Sequence, residues 1–195
     1  LIQPPEIPKG FQFLKHDVLE IQDGTWLKTF DFIVASSPCE EFSVHGMKHF
    51  NPNPKYPGLG IKLFNHTRQL CEAAGVPYVM ENVRAAQQFV GNAVHHCGPF
   101  YLWGNAVPPL LHRGIKKGMD TAGSLSANGA TRDEIRAYMK ANNLSGAFNS
   151  KSKERKEISA KNATIPPELA NCVADYAERL LEQGIERQRA QKNPQ

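Results

Sequence analysis

Cys39 lies in the stretch Ser36-Ser37-Pro38-Cys39-Glu40-Glu41, directly after an apolar run and a proline. A thiol at such a turn can attack an electrophilic carbon when local dipoles or a positive group favour its thiolate. The structural alternative is a small buried hydrophobe, the commoner fate of a solitary cysteine. Glu40 and Glu41 oppose ionisation as like charges, and His45 or His49 could act as a base only if their loop folds back. Glu81 ends a second apolar run, Tyr78-Val79-Met80. A carboxyl group at a closed rim can donate a proton or hold a hydrogen-bonding substrate; the structural alternative is a cap on the next helix. Asp17 is a third polar group that follows a short apolar run. His95-His96-Cys97 has the composition of a metal tract, but three consecutive strand residues cannot all face one ion, so no metal is assigned.

The elements needed to position these residues are partly legible. Residues 11–14 are short and apolar and read as a strand ending at His16-Asp17. Residues 30–35, Phe-Asp-Phe-Ile-Val-Ala, are nearly all apolar and read as a buried parallel strand. Five prolines and glycines between 52 and 60 mark a loop. A helix fits residues 61–74, because Leu63, Thr67, Leu70 and Ala74 share a face and Gly75 stands where a C-terminal glycine belongs. With the strand at 78–80, this makes a strand–helix–strand unit and a mostly parallel α/β sheet. Asp17, the turn at Ser36–Cys39 and Glu81-Asn82 would then meet at one rim, outside the carboxyl ends of the strands, where open parallel sheets bind ligands.

Further along, residues 94–102 can hold a strand pair. Residues 118–130 are rich in glycine, serine, alanine and asparagine and read as loop. Thr131-Arg132-Asp133-Glu134 is a capping box that opens a helix with Ile135, Tyr138 and Met139 on one face. Pro166-Pro167 suits the first turn of a last helix, in which Leu169, Cys172, Val173, Tyr176, Leu180 and Leu181 form an apolar stripe.

Composition narrows the classes. Of 195 residues, 41% are hydrophobic and 22% charged, which excludes a disordered polymer. No apolar run approaches the roughly 18 residues that a membrane-spanning helix needs, so a membrane partner is not expected. Cys39, Cys71, Cys97 and Cys172 show no zinc spacing and read as reduced thiols of a cytoplasmic protein. The net charge of +4 is compatible with nucleic acid without demanding it. The chain opens at Leu1 with no secretory leader, and is expected to be cut from something longer.

The paired motifs add a resemblance. Ser36-Ser37-Pro38-Cys39-Glu40-Glu41-Phe42-Ser43 resembles the Pro-Pro-Cys-Gln-x-Phe-Ser motif of the cytosine-5 DNA methyltransferases, and Glu81-Asn82-Val83 resembles their Glu-Asn-Val motif. Both follow an apolar strand, in the family's order, with a helix between them. The nearest likeness is to small, divergent, phage-type methylases, and it covers about residues 10–110. The resemblance implies a Rossmann-like, S-adenosylmethionine-dependent core lacking its first β-α-β portion. It implies methyl transfer to carbon 5 of cytosine in double-stranded DNA, in a bacterial cell or phage-infected host. Cys39 would attack carbon 6 of a flipped-out cytosine and Glu81 would hold and protonate nitrogen 3. Asp17, Pro38 and Asn162 would lie at the cofactor, with Asn162 in Asn162-Ala163-Thr164-Ile165-Pro166-Pro167, similar to the family's final motif. Ser36, Ser43, Asn82, Val83 and Arg113 would line the substrate side. Gly104-Asn105-Ala106-Val107-Pro108-Pro109 copies that final motif more closely but comes early.

The departures are specific. The Phe-x-Gly-x-Gly cofactor loop is not in the chain, Glu40 replaces glutamine, Ser37 replaces the first proline and Lys161 replaces a glycine. The implied division is a partial catalytic core at 1–98, a small variable region like a target-recognition segment at 99–160, a returning helix at 161–186 and a polar tail at 187–195. The alternatives are a catalytically incomplete DNA-binding relative and an unrelated cysteine hydrolase using His45 or His49.

Overall fold

The computed structural model describes residue 7 and residues 9–42, 57–109, 131–141 and 165–192. Its centre is a four-stranded sheet of β1 (Ile33–Ser36), β2 (Tyr78–Val83), β3 (His95–Cys97) and β4 (Phe100–Gly104), in the order β1-β2-β4-β3. Helix α1 (Gly58–Ala74) connects β1 to β2, and a single turn, α2 (Gln87–Val90), follows β2. Beyond the sheet lie α3 (Arg132–Ala141) and α4 (Pro167–Lys192).

The sheet is mixed, which corrects the expectation of a mostly parallel one. β1 pairs parallel with β2, but β4 runs antiparallel to both β2 and β3. The antiparallel pairing of β3 with β4 follows from the two-residue link Gly98-Pro99 between Cys97 and Phe100, which face each other across the two strands. So short a link permits only an antiparallel hairpin. Gly98 has φ of 56°, the left-handed value that a glycine at the first position of such a turn supplies.

Alternation along β2 explains why it is buried on both sides. Tyr78 and Met80 join Phe64 and Cys71 of α1, Trp103 of β4, Phe42 and Val90 in one core. Val79 points the other way, joining Cys97, Phe100, Leu102 and Val107 with Leu169 and Val173 of α4. The sheet is therefore covered by α1 on one face and α4 on the other. The ring of Phe64 meets that of Trp103 edge-on at 5.1 Å, and the Trp103 indole N–H donates to the Gly91 carbonyl at 2.9 Å, so its polar edge is satisfied while the ring is buried.

Several expectations about elements hold. Gly75 ends α1 in the left-handed conformation at φ 69°. The pair β3–β4 forms within and just beyond residues 94–102, and the capping box at Thr131 is made. Tyr138 is half-buried; the side chains of Ile135 and Met139 and residues 118–130 lie outside the described residues.

Three further expectations fail. Residues 11–14 form no strand, and Phe11 and Leu14 are 71% and 70% exposed. A strand needs a neighbour for its amides and carbonyls, and no described strand lies beside this one. β1 is not buried on both faces either: it is the sheet edge and Val34 is 59% exposed. The last helix also runs on to Lys192, past the boundary expected at residue 186.

Candidate active site

Ser36 and Glu81 are register partners at the carboxyl ends of the two parallel strands. The Ser36 hydroxyl donates to Glu81 Oε2 at 2.7 Å. Alternation from Val79 puts Glu81 on the α4 face of the sheet. The next residue, Asn82, points to the α1 face and is fully buried. Its Nδ2 donates to both the carbonyl and the hydroxyl oxygen of Ser37 at 3.1 Å. Its Oδ1 accepts from the Val83 amide at 2.8 Å, so the side-chain amide has partners at both ends. The turn carrying Cys39 is thus tied to β2 from both faces of the sheet, through Ser36 on one and Ser37 on the other.

The far side of Cys39 is anchored as well. The Phe42 amide donates to the Cys39 carbonyl at 3.1 Å, closing a tight turn. The Phe42 ring is fully buried and packs with Phe89 at 6.1 Å. Glu41 Oε2 accepts from the Gly60 amide at 2.6 Å, in the first turn of α1. That amide belongs to the positive end of the helix, so the Glu41 carboxylate complements the dipole there. Gly60 is needed at this contact: a Cβ at that position would lie 3.2 Å from the Phe42 ring and 3.3 Å from Glu41 Cβ.

Cys39 itself is half-buried, set in a turn with anchors before and after it. All four cysteines remain thiols. Cys71 differs from Cys39 in its surroundings: burial, and secondarily the charge of Glu72, push its thiol up to about 11, which keeps it protonated and unreactive near neutral pH.

The structure brings Ser36, Ser37, Pro38, Cys39, Glu81, Asn82 and Val83 to one rim. Asp17 does not join their hydrogen-bond network. Its carboxylate accepts from the Leu19 amide at 3.0 Å and caps a 3-10 turn, Val18–Glu20, that packs on α1. Ser43, His45, His49, Arg113 and Asn162 lie outside the described residues. Of the residues the resemblance assigns to S-adenosylmethionine, only Asp17 and Pro38 are therefore described, and Asp17 is exposed and engaged locally. The described residues do not assemble a cradle for that cofactor. His95 and Cys97 lie on one face of the sheet and His96 on the other, and no three metal-ligating side chains cluster among the described residues. No described helix is long and apolar enough to cross a membrane.

The early copy of the family's final motif, at Gly104, does other work. The Asn105 side-chain oxygen accepts from the Tyr78 amide at 2.8 Å and the Ala106 amide donates to the Tyr78 carbonyl at 3.1 Å, so this segment closes the opposite end of β2 from Glu81. A cleft there is lined by Pro108, Pro109, Tyr176, Arg179, Leu180 and Gln183, away from Cys39.

Two contributors to the rim escaped the sequence reading. Glu41 was counted only as a charge opposing a thiolate, whereas it binds the start of α1. The sequence presents His96 only within the His95-His96-Cys97 tract, and its stack on Tyr101 exists only in the fold. A signal for Glu41 lies in Gly60, which leaves the start of the helix open to a close approach. No protein-family profile, curated protein or solved structure matches this chain, so its site stands on its own geometry.

Proposed function

We propose that this chain is a cytosine-5 DNA methyltransferase or a catalytic part of one, acting through Cys39 and Glu81. The observation that carries the reading is the pair of cross-strand ties, Ser36 to Glu81 at 2.7 Å and Asn82 to Ser37 at 3.1 Å. They hold a thiol-bearing turn beside a carboxyl group at one rim, which is the arrangement that covalent activation of a pyrimidine requires.

The Cys39 thiolate adds to carbon 6 of a cytosine that has left the helical stack, at a cost of a few kcal/mol. As the carbon–sulfur bond forms, Glu81 gives its proton to nitrogen 3 and becomes a carboxylate. The electron pair of the 5,6 double bond is then available at carbon 5, which the aromatic ring would otherwise withhold. A bound S-adenosylmethionine would supply the methyl group to that carbon. Release then runs the first half backwards: the carbon 5 proton leaves to water, the carbon–sulfur bond breaks with its electrons returning to Cys39 as thiolate, and the nitrogen 3 proton goes back to the Glu81 carboxylate, which restores the aromatic ring. Ser36 orients Glu81 throughout, and the Asn82–Ser37 tie keeps the Cys39 turn from drifting, because sub-ångström positioning governs such attacks.

The test is covalent trapping on duplex DNA containing 5-fluorocytosine, with and without S-adenosylmethionine, resolved on a denaturing gel. The expected result is a cofactor-dependent shifted band that is absent with Cys39→Ala. A band that persists in Cys39→Ala, or methyl transfer by that variant, would overturn the assignment.

A further inference from the structure

His96 and Tyr101 face each other across β3 and β4, and their rings are stacked with centroids 4.9 Å apart and planes 13° from parallel. His96 is exposed and Tyr101 half-buried. The His96 ring is held in place by more than the stack: Nδ1 lies 3.3 Å from the Gly98 carbonyl and donates to it in the tautomer with the proton on Nδ1. Tyr101 covers one face of the imidazole. β3 is the edge of the sheet and no described strand lies beyond it, so the opposite face turns outward.

The location of this pair gives it meaning. Asn82, Tyr101 and His96 form one row across the sheet, on one face, because they are successive register partners. Asn82 is the residue that ties down the Cys39 turn. Neighbouring strands are spaced by about 4.8 Å, so the His96 ring stands roughly 10 Å from β2. Glu81 faces the other side of the sheet, so a strand of nucleic acid whose one nucleotide enters the rim would pass over the carboxyl end of β2 to lay its neighbour on His96. Arg84 is exposed and leaves the same end of β2, immediately after Val83. An aromatic platform and a cation on one side of a protein are what a strand of nucleic acid binds without base selection: every base has a face to stack, and each phosphate a charge to meet.

We propose that the outer face of His96, backed by Tyr101, is a base-stacking platform for a nucleotide next to the one that enters the Cys39–Glu81 site. The proposal rests on the reading of the rim as a nucleic-acid site and adds the handling of a flanking nucleotide. It requires an aromatic ring at position 96 and makes no use of its charge.

The experiment measures binding of the full chain to two fluorescein-labelled probes by anisotropy across a salt series. One probe is a 16-nucleotide mixed-sequence single strand, the other a duplex with one mispaired cytosine. The variants are His96→Ala and His96→Phe, with circular dichroism melts to verify folding. The expected result is a loss of affinity of at least about fivefold in His96→Ala, near-complete recovery in His96→Phe, and an unchanged slope against log salt, because no phosphate contact is removed. Equal affinity of His96→Ala and the unaltered chain would overturn the platform, as would a loss that phenylalanine does not rescue or failure of the unaltered chain to bind either probe. The outcome separates from that of 5-fluorocytosine trapping. Trapping without an effect at His96 removes the platform alone, whereas the His96 pattern without trapping removes the methyl-transfer reading and leaves a nucleic-acid-binding surface.

Discussion

Asn82 carries the most structural responsibility of any single residue at the rim. It is fully buried and polar, and two of its three side-chain hydrogen bonds join β2 to the turn before Cys39. Truncation to alanine leaves the half-buried Ser37 carbonyl without this partner. Such a loss costs about 1–3 kcal/mol. Asn82→Ala is therefore expected to lower the unfolding free energy by that amount, read from a lower urea midpoint at constant slope, and to speed labelling of Cys39 by a thiol reagent as its turn loosens. Unchanged stability together with unchanged Cys39 labelling would show that the tie holds nothing. Ser36→Ala should be milder in stability, since the Ser36–Glu81 bond lies near solvent.

At the scale of elements, α3 gives a clean test of local chemistry. The Thr131 amide donates to Glu134 Oε2 at 2.7 Å, the Thr131 hydroxyl donates to the same oxygen, and the Glu134 amide donates back to the hydroxyl at 3.3 Å. The Thr131 amide first, and its hydroxyl second, hold the Glu134 carboxyl below its ordinary value of 4.5. A depressed carboxyl stabilises the folded helix fully above its unfolded value and loses that contribution as pH falls through the lower folded value. The Glu134 side-chain resonance in an NMR titration should thus show a midpoint under 4.5 that moves only part of the way back in Thr131→Ala, which removes the hydroxyl and keeps the amide. A full return in that variant would assign the whole effect to the hydroxyl, and an unaltered midpoint would leave the hydroxyl no part in it. The mixed sheet belongs to the same scale: Gly98-Pro99 forces a hairpin, and the hairpin carries His96 and Tyr101 into the row of Asn82.

For the molecule as a whole, the sheet is a shared wall between two cores, one made with α1 and one with α4. Leu169 of α4 is 1% exposed and packs in the second core. Leu169→Ala should destabilise by about 2–5 kcal/mol, as deletion of buried leucine atoms generally does. Because α4 closes the face that carries Glu81, the loss should appear as a shifted urea midpoint at constant slope, the mark of one cooperative unit. A change in slope, or two transitions, would mean that α4 melts on its own. The exposed side is equally defined: β1 forms the sheet edge, with Phe30 and Val34 50% and 59% exposed.

Local patterns carried much of this architecture. The periodicity of Leu63, Leu70 and Ala74 with Gly75 located α1, the capping box located α3, and Pro166-Pro167 located α4, because helix starts, stops and faces depend on a few neighbouring residues. The pairing of the Cys39 turn with Glu81-Asn82 was also legible, since β-α-β connectivity sets two parallel strands side by side. Residues 11–14 were not, because an apolar run becomes a strand only when another strand is there to accept its hydrogen bonds. Nor was the direction of β4 or the role of Glu41. Both depend on which distant group lies opposite, the Gly60 amide for Glu41 and β2 for β4, and only the folded chain brings those groups together.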